Sequence, residues 1–70
     1  MAIIDNVKLR TAREERCLTQ EQLAEKANMS ERYLRYLESS ESNPSVLLLY
    51  SISKALDKRI EYFINEEMGE

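Results

Sequence analysis

Four side chains within six positions, Glu31, Arg32, Arg35 and Tyr36, hold the most specific chemistry in the chain. An arginine fork matches the O6 and N7 acceptors of guanine, and a glutamate can accept from cytosine N4. The same residues also make an ordinary solvated helix face, where an i, i+4 pair such as Glu31–Arg35 contributes only ~0.2–0.5 kcal/mol. Residue types alone favour that plainer reading. Other chemistry has less material. The chain has no histidine and one cysteine, Cys17, without an evident partner, so converging acid–base or nucleophilic groups are missing and no enzyme is expected. Soft nitrogen and sulfur ligands are nearly absent, so neither a metal nor a cofactor is expected. The many carboxylates read as solvated helix faces. Cys17 reads as an inert thiol rather than a redox switch.

These residues need elements to hold them, and the composition favours helices. There is one Gly and one Pro among abundant Glu, Leu, Lys, Arg and Ala. Residues 1–70 read as a single domain with a core over about 7–64 and an acidic, frayed tail over 66–70. So short a chain buries a modest core and depends on tight helix packing or self-association. The longest apolar run, Val46–Tyr50, has five residues, far short of a membrane span. With no signal-peptide pattern and a single cysteine, the expectation is a cytoplasmic protein without membrane association.

Capping signals place five helices. The first runs from about Asn6 to Arg16 behind Asp5 or Asn6, with Val7, Leu9 and Ala12 as inward candidates and support from Ile3 and Ile4. Thr19 with Gln22 fits a capping box for the second, and Leu18 with Leu23 a hydrophobic staple. The same grammar recurs at once. Ser30 caps a third helix over Glu31–Glu38, with Met29 and Leu34 at the staple positions and Leu34 and Leu37 pointing inward. Only Asn28 and Met29 separate the second helix from that cap, and Asn tolerates the left-handed turn this needs. Two capped helices across so short a turn have helix-turn-helix geometry. Asn43-Pro44-Ser45 starts a fourth helix, which ends near Leu56, and a short fifth covers about Arg59–Asn65.

The run Leu18-Thr19-Gln20-Glu21-Gln22-Leu23-Ala24-Glu25-Lys26-Ala27 resembles the Cro/repressor-type (XRE) helix-turn-helix family. The resemblance continues through Asn28-Met29-Ser30, Leu34, Leu37-Glu38, Asn43-Pro44-Ser45, Leu49, Ile52, Ala55-Leu56, Ile60 and Phe63. It implies an all-α, five-helix, lambda-repressor-like domain with the helix-turn-helix at helices 2–3. It further implies a transcriptional regulator, a repressor by preference, whose third helix enters the major groove of duplex DNA, often as a dimer on a pseudo-palindromic operator. It places a structural ion pair at Arg13 and Glu38. Cys17 and Ser40 stand where the family usually has glycine, at helix ends that favour positive φ, so both turns are expected to be altered or strained.

On that frame Arg32, Arg35 and Tyr36 are the candidate base contacts, with Glu31 helping or discriminating. Candidate phosphate contacts are Gln20, Thr19, Ser30, Tyr33, Asn43, Lys8 and Arg10; Thr19 and Ser30 double as caps, and Asn43 could equally cap. The fourth helix has more apolar surface than one face can bury, so Leu47, Leu48 and Tyr50, extended by Tyr62 and Ile64, form the candidate homodimer interface. With no sensor in so compact a regulator, control is expected from concentration, a partner protein or competition.

The formal charge of −3 runs against DNA binding. Residues 7–38 hold seven basic side chains against six acidic ones, so most of the acidity lies outside the helix-turn-helix. The competing reading is a protein-interaction module of the same fold, of antitoxin or anti-repressor type, with little DNA binding.

Overall fold

Side-chain caps account for where the first four helices begin. The computed structural model describes residues 2–40 and 42–66. Five helices occupy them: α1 (Asn6–Glu15), α2 (Gln20–Lys26), α3 (Glu31–Ser39), α4 (Val46–Leu56) and α5 (Ile60–Phe63). The Asp5 carboxylate accepts from the amides of Val7 and Lys8, both at 3.1 Å, and so satisfies two of the orphan donors at the start of α1. Thr19 and Gln22 form the expected reciprocal box at α2, at 3.0 and 2.9 Å. Ser30 accepts from the Tyr33 amide at α3, and Ser45 from the Leu48 amide at α4. Pro44 therefore precedes the cap rather than opening the helix, and Asn43 is not the cap.

Among the described residues three non-glycine residues turn the chain left-handed: Cys17 (φ 58°), Asn28 (φ 60°) and Asp57 (φ 56°). The first two match their positions in the sequence. Asp57, which ends α4, was not anticipated. At Ser40 the turn is altered instead of strained: its φ of −141° is extended backbone that needs no glycine. Cys17 is exposed, so its side chain has little packing to lose. A Cβ in this conformation costs roughly 1–2 kcal/mol. Glycine would relieve that and give back ~0.4–1 kcal/mol through the freer unfolded chain. Cys17→Gly is therefore expected to stabilise the fold by ~0.5–1 kcal/mol in urea denaturation. An unchanged or lower midpoint would show that the turn carries no strain.

The helices close on one core. Leu9 and Ala12 of α1, Leu23 of α2, Leu34 and Leu37 of α3, Ile52 and Leu56 of α4 and Phe63 of α5 are at most 1% exposed. Val7 is not among them, at 67% exposed. At 100° per residue it lies some 200° around the helix from Leu9, on the solvent side. Ile4 takes the inward role at that end, being 3% exposed.

A two-stranded ribbon adds to the five-helix plan. β1 (Ala2–Ile4) pairs antiparallel with β2 (Ile64–Glu66), Ile4 opposite Ile64 and Ala2 opposite Glu66. It shortens the fifth helix, expected to reach Asn65, because Ile64 leaves helical geometry to join the strand. The Asp5 amide donates to the Phe63 carbonyl at 2.7 Å and the Ile4 amide to that of Ser42 at 3.1 Å, which tie the ribbon to the body. Glu66, assigned to a frayed tail, is thus paired in a strand; the rest of that tail, 67–70, lies outside the described residues. Smaller shifts occur at two helix ends, α1 stopping at Glu15 with Arg16 as its C-cap and α3 running on to Ser39. Among the described residues no helix is long and apolar enough to cross a membrane.

Candidate nucleic-acid interface

Leu34 and Leu37 fix the rotation of α3 about its axis, since both are fully buried. The opposite face then carries Arg32, Arg35 and Tyr36, all exposed, and Glu31, half-buried. The sequence-predicted base-contact set is therefore brought together on one surface. Tyr36 stacks on Tyr33, ring centroids 6.1 Å apart, and Tyr33 in turn packs against the core. Tyr33 is thus first a support for Tyr36.

The structural ion pair is present and has more members than expected. The Nε and Nη2 of Arg13 donate to the two carboxylate oxygens of Glu38 at 2.7 and 3.0 Å, while its Nη1 donates to the Leu18 carbonyl at 2.8 Å. Its hydrogen bonds to Glu38 raise the guanidinium pKa above its already high ordinary value, against the opposing effect of burial, and the negative charge of Glu38 adds to the rise. Glu38 is 3% exposed. Gln20 joins it, its Nε2 donating to Glu38 Oε1 at 3.1 Å. Arg10 approaches from the solvent side, donating to the Glu38 carbonyl at 3.4 Å. A single buried carboxylate therefore gathers α1, α2 and α3.

Gln20 also reaches the recognition face. Its Oε1 accepts from Arg35 Nε at 3.4 Å, and Arg35 Nη2 donates to Glu31 Oε2 at 2.9 Å. Gln20 was expected on phosphate, yet both ends of its amide are engaged within the protein. The Glu31–Arg35 pair is legible at i, i+4, but nothing in the sequence singles out the two contacts of Gln20, whose partners lie 18 and 15 positions away.

The remaining candidates divide. Thr19 and Ser30 are caps at the N-terminal ends of α2 and α3, and Asn43 is exposed in the loop before α4. Lys8 is exposed but leans toward α5, its ammonium 5.2 Å from the Tyr62 ring. On α4, Leu47 is 77% and Tyr50 52% exposed, joined by Val46 at 72%, while Leu48 is half-buried. Tyr62 and Ile64 pack partly against the core. Tyr62 also lies under Lys8 and Lys58.

Two capped helices across a tight turn, with an arginine-bearing face on the second, define a helix-turn-helix DNA-binding fold. The helix-turn-helix family profile matches residues 9–63, and the chain belongs to that family, in its Cro/repressor branch. It is 42% identical over 60 residues to an immunity repressor protein of Bacillus phage phi105, an alignment covering 86% of this chain and 42% of that protein. It is 41% identical over 44 residues to an HTH-type transcriptional regulator, y4dJ, of Sinorhizobium fredii, covering 63% of this chain and 57% of the relative. The chain thus spans about half the length of these curated relatives. Among solved structures, the restriction-modification controller protein C.AhdI from Aeromonas hydrophila superposes with a TM-score of 0.76 at 26% identity. That match covers 81% of this chain and 86% of the controller.

Proposed function

We propose that the protein is a sequence-specific transcriptional regulator, a repressor, that binds duplex DNA as a dimer with α3 in the major groove. The observation that carries this reading is the pairing of Arg32 and Arg35 on the exposed face of a helix whose other face is locked by Leu34 and Leu37. Arg32 and Arg35 read base edges, and Tyr36 borders them. Phosphates meet the N-terminal amides of α2 and α3 beside Thr19 and Ser30, with Arg10, Lys8 and Asn43 flanking. Exposed Leu47 and Tyr50, with Leu48, supply the apolar surface for a second copy. The names of an immunity repressor and a restriction-modification controller among its relatives support the regulatory reading.

Net charge favours the alternative, a partner-protein module, and one experiment separates them. Duplexes selected from a random pool are expected to converge on a pseudo-palindrome with half-sites about one helical turn, ~34 Å, apart. Affinity for the selected duplex should fall linearly in log K against log salt. No enrichment and no binding at low salt would eliminate DNA as the ligand, and a single unrepeated half-site would eliminate the dimer.

A further inference from the structure

We propose that Glu31 and Gln20 are positioning residues for Arg35, clamping one edge of its guanidinium so that only the other edge is presented to a base. The inference rests on α3 reading the major groove. A guanidinium has two edges that can bond in bidentate fashion: the side-on edge of Nε and Nη2, and the end-on edge of Nη1 and Nη2. In Arg35 the side-on edge is occupied at both donors, Nε by the Gln20 carbonyl oxygen at 3.4 Å and Nη2 by the Glu31 carboxylate at 2.9 Å. The two acceptors come from different helices, so the clamp fixes the side chain relative to the fold and not merely along α3. Gln20 is itself held at its other end by the buried Glu38, which Arg13 locks to α1. The fork of Arg35 is thereby connected through Gln20 to Glu38, the most buried polar side chain among the described residues.

This arrangement has a consequence for selectivity. A free arginine can swing to a phosphate when the base in front of it is wrong, and so loses little. A clamped one keeps its end-on donors aimed at the base edge. It gains with guanine, whose O6 and N7 both accept, and meets the N6 donor of an adenine with no escape. The Glu31 carboxylate also disfavours a phosphate at this spot. Less freedom is lost on docking, because the side chain is already ordered. Glu31 then reads no base of its own, and Gln20 touches no phosphate.

The test measures affinity for the selected operator and for duplexes altered at each half-site pair, using Arg35→Ala, Glu31→Ala, Gln20→Ala and the doubles with Arg35→Ala. Ratios between duplexes cancel any change in the folded fraction, so a destabilised variant still reports. Arg35→Ala should flatten preference at one base pair by about fivefold or more. Glu31→Ala and Gln20→Ala should flatten the same pair and change nothing further once Arg35 is gone. Their slopes of log K against log salt should not fall. A shift of preference at a different pair in Glu31→Ala overturns the clamp, because Glu31 would then be a reader. A salt slope reduced by about one in Gln20→Ala with preference intact overturns it too, placing Gln20 on phosphate. Equal weakening on every duplex in Arg35→Ala is a separate failure. It removes Arg35 as a base reader, and the clamp with it.

Discussion

Replacing Glu38 with alanine is expected to lower the stability of the domain by ~3–5 kcal/mol, the range found when one partner of a buried ion pair is removed. Its side chain is 2% exposed and that of Arg13 12%, so the substitution strands a guanidinium where water barely reaches. Two bonds from Arg13 and one from Gln20 disappear together. A fold of this size has only the lower end of the usual 5–15 kcal/mol to lose, and each kcal/mol moves the midpoint by roughly 4–8 °C. The melting temperature should drop by more than about 10 °C, followed by circular dichroism. A loss under ~1 kcal/mol would mean the pair behaves like a surface contact.

The sign of the pH dependence follows from the same pair. The pKa of Arg13 is raised in the folded state, so its contribution is complete below the unfolded value and is lost only as pH rises through the folded one. Both lie in strongly alkaline solution. The pair should therefore hold undiminished across the neutral and mildly alkaline range, where melts of the wild type owe it no slope.

The parts of this fold legible in the sequence are those fixed by neighbours. Thr19 with Gln22 and Ser30 before Glu31 are contacts three residues apart, and the spacing that makes them possible is visible in one dimension. The turn at Asn28 belongs to the same class, since its φ of 60° is one asparagine tolerates. Arg13 and Glu38 lie 25 positions apart and were placed only through the family resemblance. What stayed hidden is non-local without such help. The ribbon joins Ala2 to Glu66 through three-residue strands too short to show an alternating pattern. Gln20 carries no mark that it will face Glu38 and Arg35 rather than a phosphate. Val7 was misplaced for a different reason: with so few apolar residues in α1, every one looked inward, and the helical angle from Leu9 decides otherwise.

Truncating Phe63 to alanine should cost as much as losing Glu38, ~3–5 kcal/mol, but through packing. The ring is completely buried in a core cluster of twelve buried apolar side chains among the described residues, so the cavity cannot be shared among many neighbours. Phe63 also sits at a structural junction. It ends α5, a four-residue helix without a side-chain N-cap that could not persist without tertiary packing. Its carbonyl receives the amide of Asp5, whose carboxylate starts α1. The next residue, Ile64, begins the strand that pairs with β1. Loosening Phe63 therefore frees α5, the ribbon and the first turn of α1 together, which a simple cavity would not do. Equilibrium denaturation should show a lower midpoint, and hydrogen exchange should accelerate at Asp5 and Ile4 as well as in α5. Val7→Ala, at an exposed site, should stay within about 0.5 kcal/mol of the wild type. Loss of stability without faster exchange at Asp5 and Ile4 would show that the ribbon is held independently of the helix beside it.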